Sequence, residues 1–172
     1  MKPKHKAFIL LLVFLPSFLF GYMTEEKLIR VIDGDTAQFQ SMRCRFSYID
    51  TPESGNNPKA LRDSRKMGIP LEDIYDAGRM AKRYLKSRLR KGEYYRIDVK
   101  KGMTHGRKIC VIYLDGDRTI NELLVRDGFA VPFWQYIPKR KRSHFRNLSH
   151  LAQKEHKGLW RLYPEIMTKM MY

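Results

Sequence analysis

The chain has 172 residues, 34 of them Lys or Arg and 18 Asp or Glu, for a formal net charge of +16. The length suits one domain, and 43% hydrophobic residues support a packed core, which excludes a disordered basic tail. Two cysteines exclude a disulfide-dense mini-protein, and no CxxC or Cys/His cluster supports structural zinc. The charge points to a polyanionic partner, nucleic acid or an anionic membrane.

In chain order, Lys2, Lys4 and Lys6 precede an apolar run from Ala7 to Phe20, broken only by Pro16 and Ser17. This run is short for a bilayer-spanning helix, which needs about 20 residues, and it suits a signal peptide over 1–21. Gly21 is a suitable small residue before a cut. Leu19 is not, so an uncleaved membrane anchor through 7–20 stays open. Removing 1–21 takes away three lysines and no acid, leaving +13 on the remainder. The segment predicts export, to the outside or the periplasm.

Strands are predicted over Lys27–Ile32 and Asp35–Phe39, turning at Asp33-Gly34. Alternation continues from Cys44 to Ile49, with Cys44, Phe46 and Tyr48 on one face and Arg45, Ser47 and Ile49 on the other. Residues 54–74 read as a long loop, a length that usually goes with function or mobility. Apolar residues at three- and four-residue spacing predict a helix over Tyr75–Leu89, its Arg and Lys forming a solvated face. Strands follow at Tyr94–Val99 and Lys108–Leu114, with a second turn at Asp115-Gly116. A short helix covers Thr119–Arg126, and a last one Lys141–Lys157. The order defines an α+β fold around a small barrel or sheet.

Two short acidic segments carry the chemistry. Asp33 and Asp35 are two residues apart and point to one side if the backbone is extended. In Asp50-Thr51-Pro52-Glu53, proline turns the chain between two carboxylates. Together they offer Asp35, Asp50 and a backbone carbonyl to one cation, and oxygen-only ligands favour calcium or magnesium. Arg45 and Arg107 add two guanidinium forks that match phosphate oxygens. Taken singly, the first segment reads as a turn, the second as a helix cap, and the arginines as surface cations.

The combination is more specific. Val31-Ile-Asp-Gly-Asp-Thr36, Arg45-x4-Asp50-Thr-Pro-Glu53, Gly78-x2-Ala81, His105-Gly-Arg107 and Asn121-Glu-x2-Val-Arg-x-Gly128 occur in this order. They resemble the staphylococcal nuclease (thermonuclease) family over about residues 27–160. The resemblance implies a five-stranded OB-type β-barrel with three α-helices, as a nuclease domain over 25–163 followed by a C-terminal tail over 164–172. It implies a monomeric, calcium-dependent nuclease that hydrolyses phosphodiester bonds in DNA and RNA and leaves 3′-phosphates. By the same resemblance, Asp35 and Asp50 ligate Ca2+ through carboxylates and Thr51 through its backbone carbonyl. Glu53 is the general base, Arg45 and Arg107 hold the phosphate, and Asp33 lies behind the ligands.

Some positions depart from the family. His105 replaces a tyrosine near the bound nucleotide, and Thr104 and Met103 replace a lysine and an aspartate. Trp134 and Tyr136 stand where two tyrosines flank the base pocket. The 54–74 segment is longer. The rival reading, a non-catalytic OB-fold nucleic-acid-binding protein, predicts loss of the acids or arginines, and all five key residues are present. Lys139-Arg-Lys-Arg142 suits contact with a nucleic-acid backbone. Cys44 and Cys110 fall on the core side of their strands, either as small buried residues or as a bridge formed in an oxidising compartment. A Cα separation below about 7 Å is what a bridge requires.

Overall fold

The computed structural model describes residues 21–172, so the export signal expected at 1–21 lies, apart from Gly21, outside the described residues. The barrel is built from β1 (Tyr22–Asp33), β2 (Thr36–Phe39), β3 (Arg43–Phe46), β5 (Tyr94–Thr104) and β6 (Arg107–Asp115). The first strand is long enough to serve two partners. Its first half pairs with β5 and its second half with β2, both antiparallel. A parallel seam between β3 and β6, with Cys44 opposite Lys108 and Phe46 opposite Cys110, closes the ring. Leu28, Phe39, Phe46, Ile97 and Ile112 fill the interior at 1% exposure or less. The expected five-stranded OB-type barrel is therefore present.

The seam is also covalent. Cys44 and Cys110 form a disulfide with Cα atoms 5.6 Å apart. Both are fully buried, on the core side as their alternation predicted.

The remaining elements differ from expectation in instructive ways. The alternation expected through Ile49 breaks at Tyr48, whose φ of 71° lies in the left-handed region. The turn swaps faces. Ile49 enters the core, and Asp50 beside it in β4 (Ile49–Asp50) points outward. A short strand β8 (Val131–Pro132) holds β4 in place. The 54–74 segment is not a loop. It contains helix α1 (Pro58–Met67), with Asn57 as N-cap, Pro58 at the first position and Gly68 closing it at φ 64°. Helix α2 (Leu71–Arg88) starts a turn earlier than its apolar spacing suggested, with Glu72 and Asp73 in its first turn.

Strand β7 (Arg118–Thr119) leads into α3 (Ile120–Arg126), capped by Thr119, whose hydroxyl accepts from the Glu122 N–H. Helix α4 (Lys139–Lys154) follows. Then come α5 (Leu159–Leu162) and α6 (Pro164–Met171). Three helices were expected, and six exist among the described residues; α2, α3 and α4 correspond to the three. The stretch expected as a tail is α6, which buries Ile166 and Met167. With Met67, Ile74, Val131, Ala152 and Trp160 they form a second, smaller core outside the barrel. No helix among the described residues is long and apolar enough to cross a membrane.

Candidate active site

Four elements meet at one mouth of the barrel. The β1–β2 turn supplies Asp33 and Asp35, β3 supplies Arg45, β4 supplies Asp50, and the chain just after it supplies Thr51 and Glu53. Asp35 lies in the turn itself, since Asp33 pairs with Thr36, and it is buried to 5% exposure. Its Oδ2 accepts from the Thr51 N–H (3.2 Å) and Thr51 hydroxyl (3.1 Å), and its Oδ1 from the Thr36 hydroxyl (3.0 Å). Arg45 spans the two carboxylates. One guanidinium nitrogen pairs with Asp35 Oδ2, and the other reaches Asp50 Oδ1 at 2.5 Å.

Close backbone approach makes this possible. At Gly34 a Cβ would sit 2.7 Å from the Thr51 hydroxyl and 2.9 Å from the Ala81 methyl. At Gly78 it would overlap the Glu53 carbonyl and the Ser54 N. Helix α2 therefore passes directly against the backbone that carries Glu53, and only glycine leaves the room.

Asp33 accepts from the Gly34 N–H (2.9 Å) and the Ser54 N–H (3.3 Å), tying the two acidic segments together. Burial, and then the nearby Glu53 charge, push its carboxyl above the usual range. Arg107 enters from β6, where His105-Gly106 makes a tight turn with φ of 48° and 72°. Its Nε donates to the Thr104 carbonyl (3.3 Å), and its Nη1 approaches the Thr36 hydroxyl at 3.5 Å. Burial and the Arg45 charge lower its pKa, against the pull of Glu53 and Asp33.

Helix α1 contributes residues that the sequence did not single out. Asn57 uses both ends of its amide: Oδ1 accepts from the Ala60 N–H (2.9 Å), and Nδ2 donates to Glu53 Oε2 (2.7 Å). Lys59 places its ammonium 3.1 Å from Glu53 Oε1, 3.4 Å from Asp50 Oδ2 and 2.9 Å from Asp63 Oδ2. Burial works against the Lys59 charge, but Asp50, Glu53 and Asp63 outweigh it, so its pKa rises above the ordinary lysine value. The Asn57-Pro58 pair was the available signal, since a capping residue followed by proline starts helices.

A cleft of about 520 Å³ leads away from Arg45, lined by Tyr48, Lys100, Lys101, Phe133 and Tyr136. Tyr136 is 62% exposed, and its ring meets Phe133 edge-on at 4.8 Å. The expected aromatic pair is not brought together there. Trp134 and Tyr136 share a 3-10 turn, and Trp134 lines a different groove with Arg142 and Arg146. Phe133 takes its place beside Tyr136. His105 stays at its turn, outside the lining of the cleft, while Thr104 belongs to it.

Among the described residues no three His, Cys, Asp or Glu side chains converge as a metal cluster. Any cation here depends on the two carboxylates Asp35 and Asp50 plus backbone oxygen. The donor chemistry fits a hard divalent ion: the oxygens are already gathered around a positive group, and no thiolate or imidazole competes.

A closed barrel with two carboxylates, two arginines and a third acid at one mouth defines a nuclease-type α+β domain. The family described as staphylococcal nuclease homologue matches residues 43–162, and the chain belongs to that family. The matched stretch contains Arg45, Asp50, Thr51, Glu53 and Arg107. Asp35 lies before it and reaches the site through the β2–β3 ladder, in which Thr36 faces Arg45.

Proposed function

We propose that the chain is an exported, calcium-dependent nuclease that hydrolyses phosphodiester bonds in DNA and RNA and leaves 3′-phosphates. The observation that supports it most is the convergence of Asp35, Arg45, Asp50, Glu53 and Arg107 at one mouth. Glu53 takes the proton of the attacking water as the new P–O bond forms. Arg45 and Arg107 hold the phosphate oxygens and absorb charge as the bond from phosphorus to the 5′ oxygen breaks and that oxygen takes a proton from solvent to become a hydroxyl. Asp35, Asp50 and Thr51 are the residues that would hold Ca2+, whose role when bound is to neutralise charge on the phosphate. Tyr136 offers a face for base stacking, worth about 1–3 kcal/mol. Export is supported by the apolar N-terminal segment and by the Cys44–Cys110 bridge, which persists in oxidising compartments.

The test is digestion of single- and double-stranded DNA and of RNA, with calcium or with excess chelator. Activity should require calcium, and Glu53→Gln should lower turnover by at least about 100-fold while the protein stays folded. Wild-type rates from Glu53→Gln, or full activity in chelator, refute the assignment.

A further inference from the structure

The catalytic carboxylates already hold a cation that belongs to the chain. Lys59 reaches them because Asn57 stops the extended backbone and Pro58 starts α1, aiming the first helical turn back at β4. Asp63, one turn further along α1, holds the ammonium from behind. Helix α1 is itself anchored, since Met67 is buried and the Lys169 ammonium of α6 donates to the Met67 carbonyl at 2.6 Å. Both oxygens of Asp50 are engaged, one by Arg45 and one by Lys59. Both oxygens of Glu53 are engaged as well, by Asn57 and Lys59.

We propose that Lys59 is a tethered competitor of the divalent cation, neutralising Asp50 and Glu53 and holding the site's affinity for that cation below what its carboxylates alone provide. This rests on the reading that Asp35 and Asp50 hold the cation. A divalent ion at Asp50 has two routes. It takes the oxygen that Arg45 holds, sharing the carboxylate with the ammonium on the other oxygen and being repelled by it, or it displaces the ammonium and breaks its ion pairs. Either route subtracts from binding. The Lys59 Nζ is buried while its side chain as a whole is 31% exposed, so displacement carries the ammonium from a buried position along a partly exposed stem into solvent. Displacement also frees Glu53 Oε1 for water, so that loading of the cation and release of the base are linked.

The experiment is calorimetric titration of Ca2+ into the chelator-stripped protein at constant low salt, with thermal melts with and without Ca2+. The proteins are wild type, Lys59→Gln, Lys59→Met, Lys59→Arg and Asp50→Asn. Both neutral variants should bind Ca2+ about tenfold or more tighter than wild type, as removal of a close like charge requires. Calcium should also raise their melting temperature further. Lys59→Arg should stay near wild type, and Asp50→Asn should lose binding. Unchanged or weaker binding by the neutral variants, with Asp50→Asn still defective, overturns the role of Lys59 and leaves the site reading intact. Tightening by Lys59→Arg to match the neutral variants also overturns it, since the charge is then irrelevant. Equal binding by wild type and Asp50→Asn overturns the site reading itself.

Discussion

Gly78 shows how a residue with no side chain sets the position of another. It lies on a buried face of α2 against the Glu53 carbonyl, and any methyl group there must push the two apart. Gly78→Ala should cost about 1–3 kcal/mol of stability, as overpacking does. With Glu53 as the proposed base, it should also lower turnover by up to about 100-fold, because a displacement of about an ångström is enough. Urea unfolding and a steady-state assay on the folded variant separate the two effects. Retention of full activity would mean that Glu53 does not depend on α2. Asn57 acts on the same carboxylate from the other side, with one amide that both caps α1 and donates to Glu53.

At the scale of elements, the β3–β6 seam is the point where the ring closes. Its strands are parallel and far apart in the chain, with the two cysteines separated by 66 positions. Closing a loop of that length in the unfolded state gives the bridge a stabilisation of about 4 kcal/mol in the chain-entropy account. Reduction under native conditions should lower unfolding free energy by roughly that amount, read by urea titration of oxidised and reduced protein. A change well under about 1 kcal/mol would show that the bridge contributes little beyond the packing already there.

The end of α3 makes a separate test. Burial raises the Asp127 carboxyl, but Arg126, the Tyr84 hydroxyl and Arg88 lower it more, and its net pKa lies below the ordinary value. Its folded pKa is therefore below its unfolded one. The stability it gives is present above the unfolded pKa of about 4 and is lost as pH falls through the folded value. Asp127→Asn should be less stable at neutral pH and should lose less on acidification below about pH 4 than wild type. Melting curves across that range check the sign.

For the whole molecule, charge and site are different quantities. Helix α4 carries Lys139, Arg140, Lys141, Arg142, Arg146 and Lys154 with no acidic residue. Such a field draws a polyanion in by counter-ion release, and that step weakens steeply with salt. Raising salt at fixed calcium should therefore raise KM for DNA with a much smaller change in kcat. A fall in kcat with KM unchanged would place the salt effect at the reacting groups rather than at capture.

Much of the site was legible because its residues sit close together in the chain. Asp33 and Asp35 share a turn, and Arg45, Asp50, Thr51 and Glu53 fall within nine residues of one another. Local spacing carries that information, as does the alternation that put Cys44 and Cys110 in the core. Lys59, Phe133 and the pairing of Cys44 with Cys110 were decided only by the tertiary structure. Lys59 belongs to the site through the angle at which α1 leaves Pro58, and α6, read from sequence as a tail, fixes that helix through a second core. Phe133 rather than Trp134 lines the cleft because a 3-10 turn starts at Trp134, with Phe133 as its N-cap, and the two side chains reach different grooves. Those outcomes depend on contacts between segments far apart in sequence, which no local pattern of residues encodes.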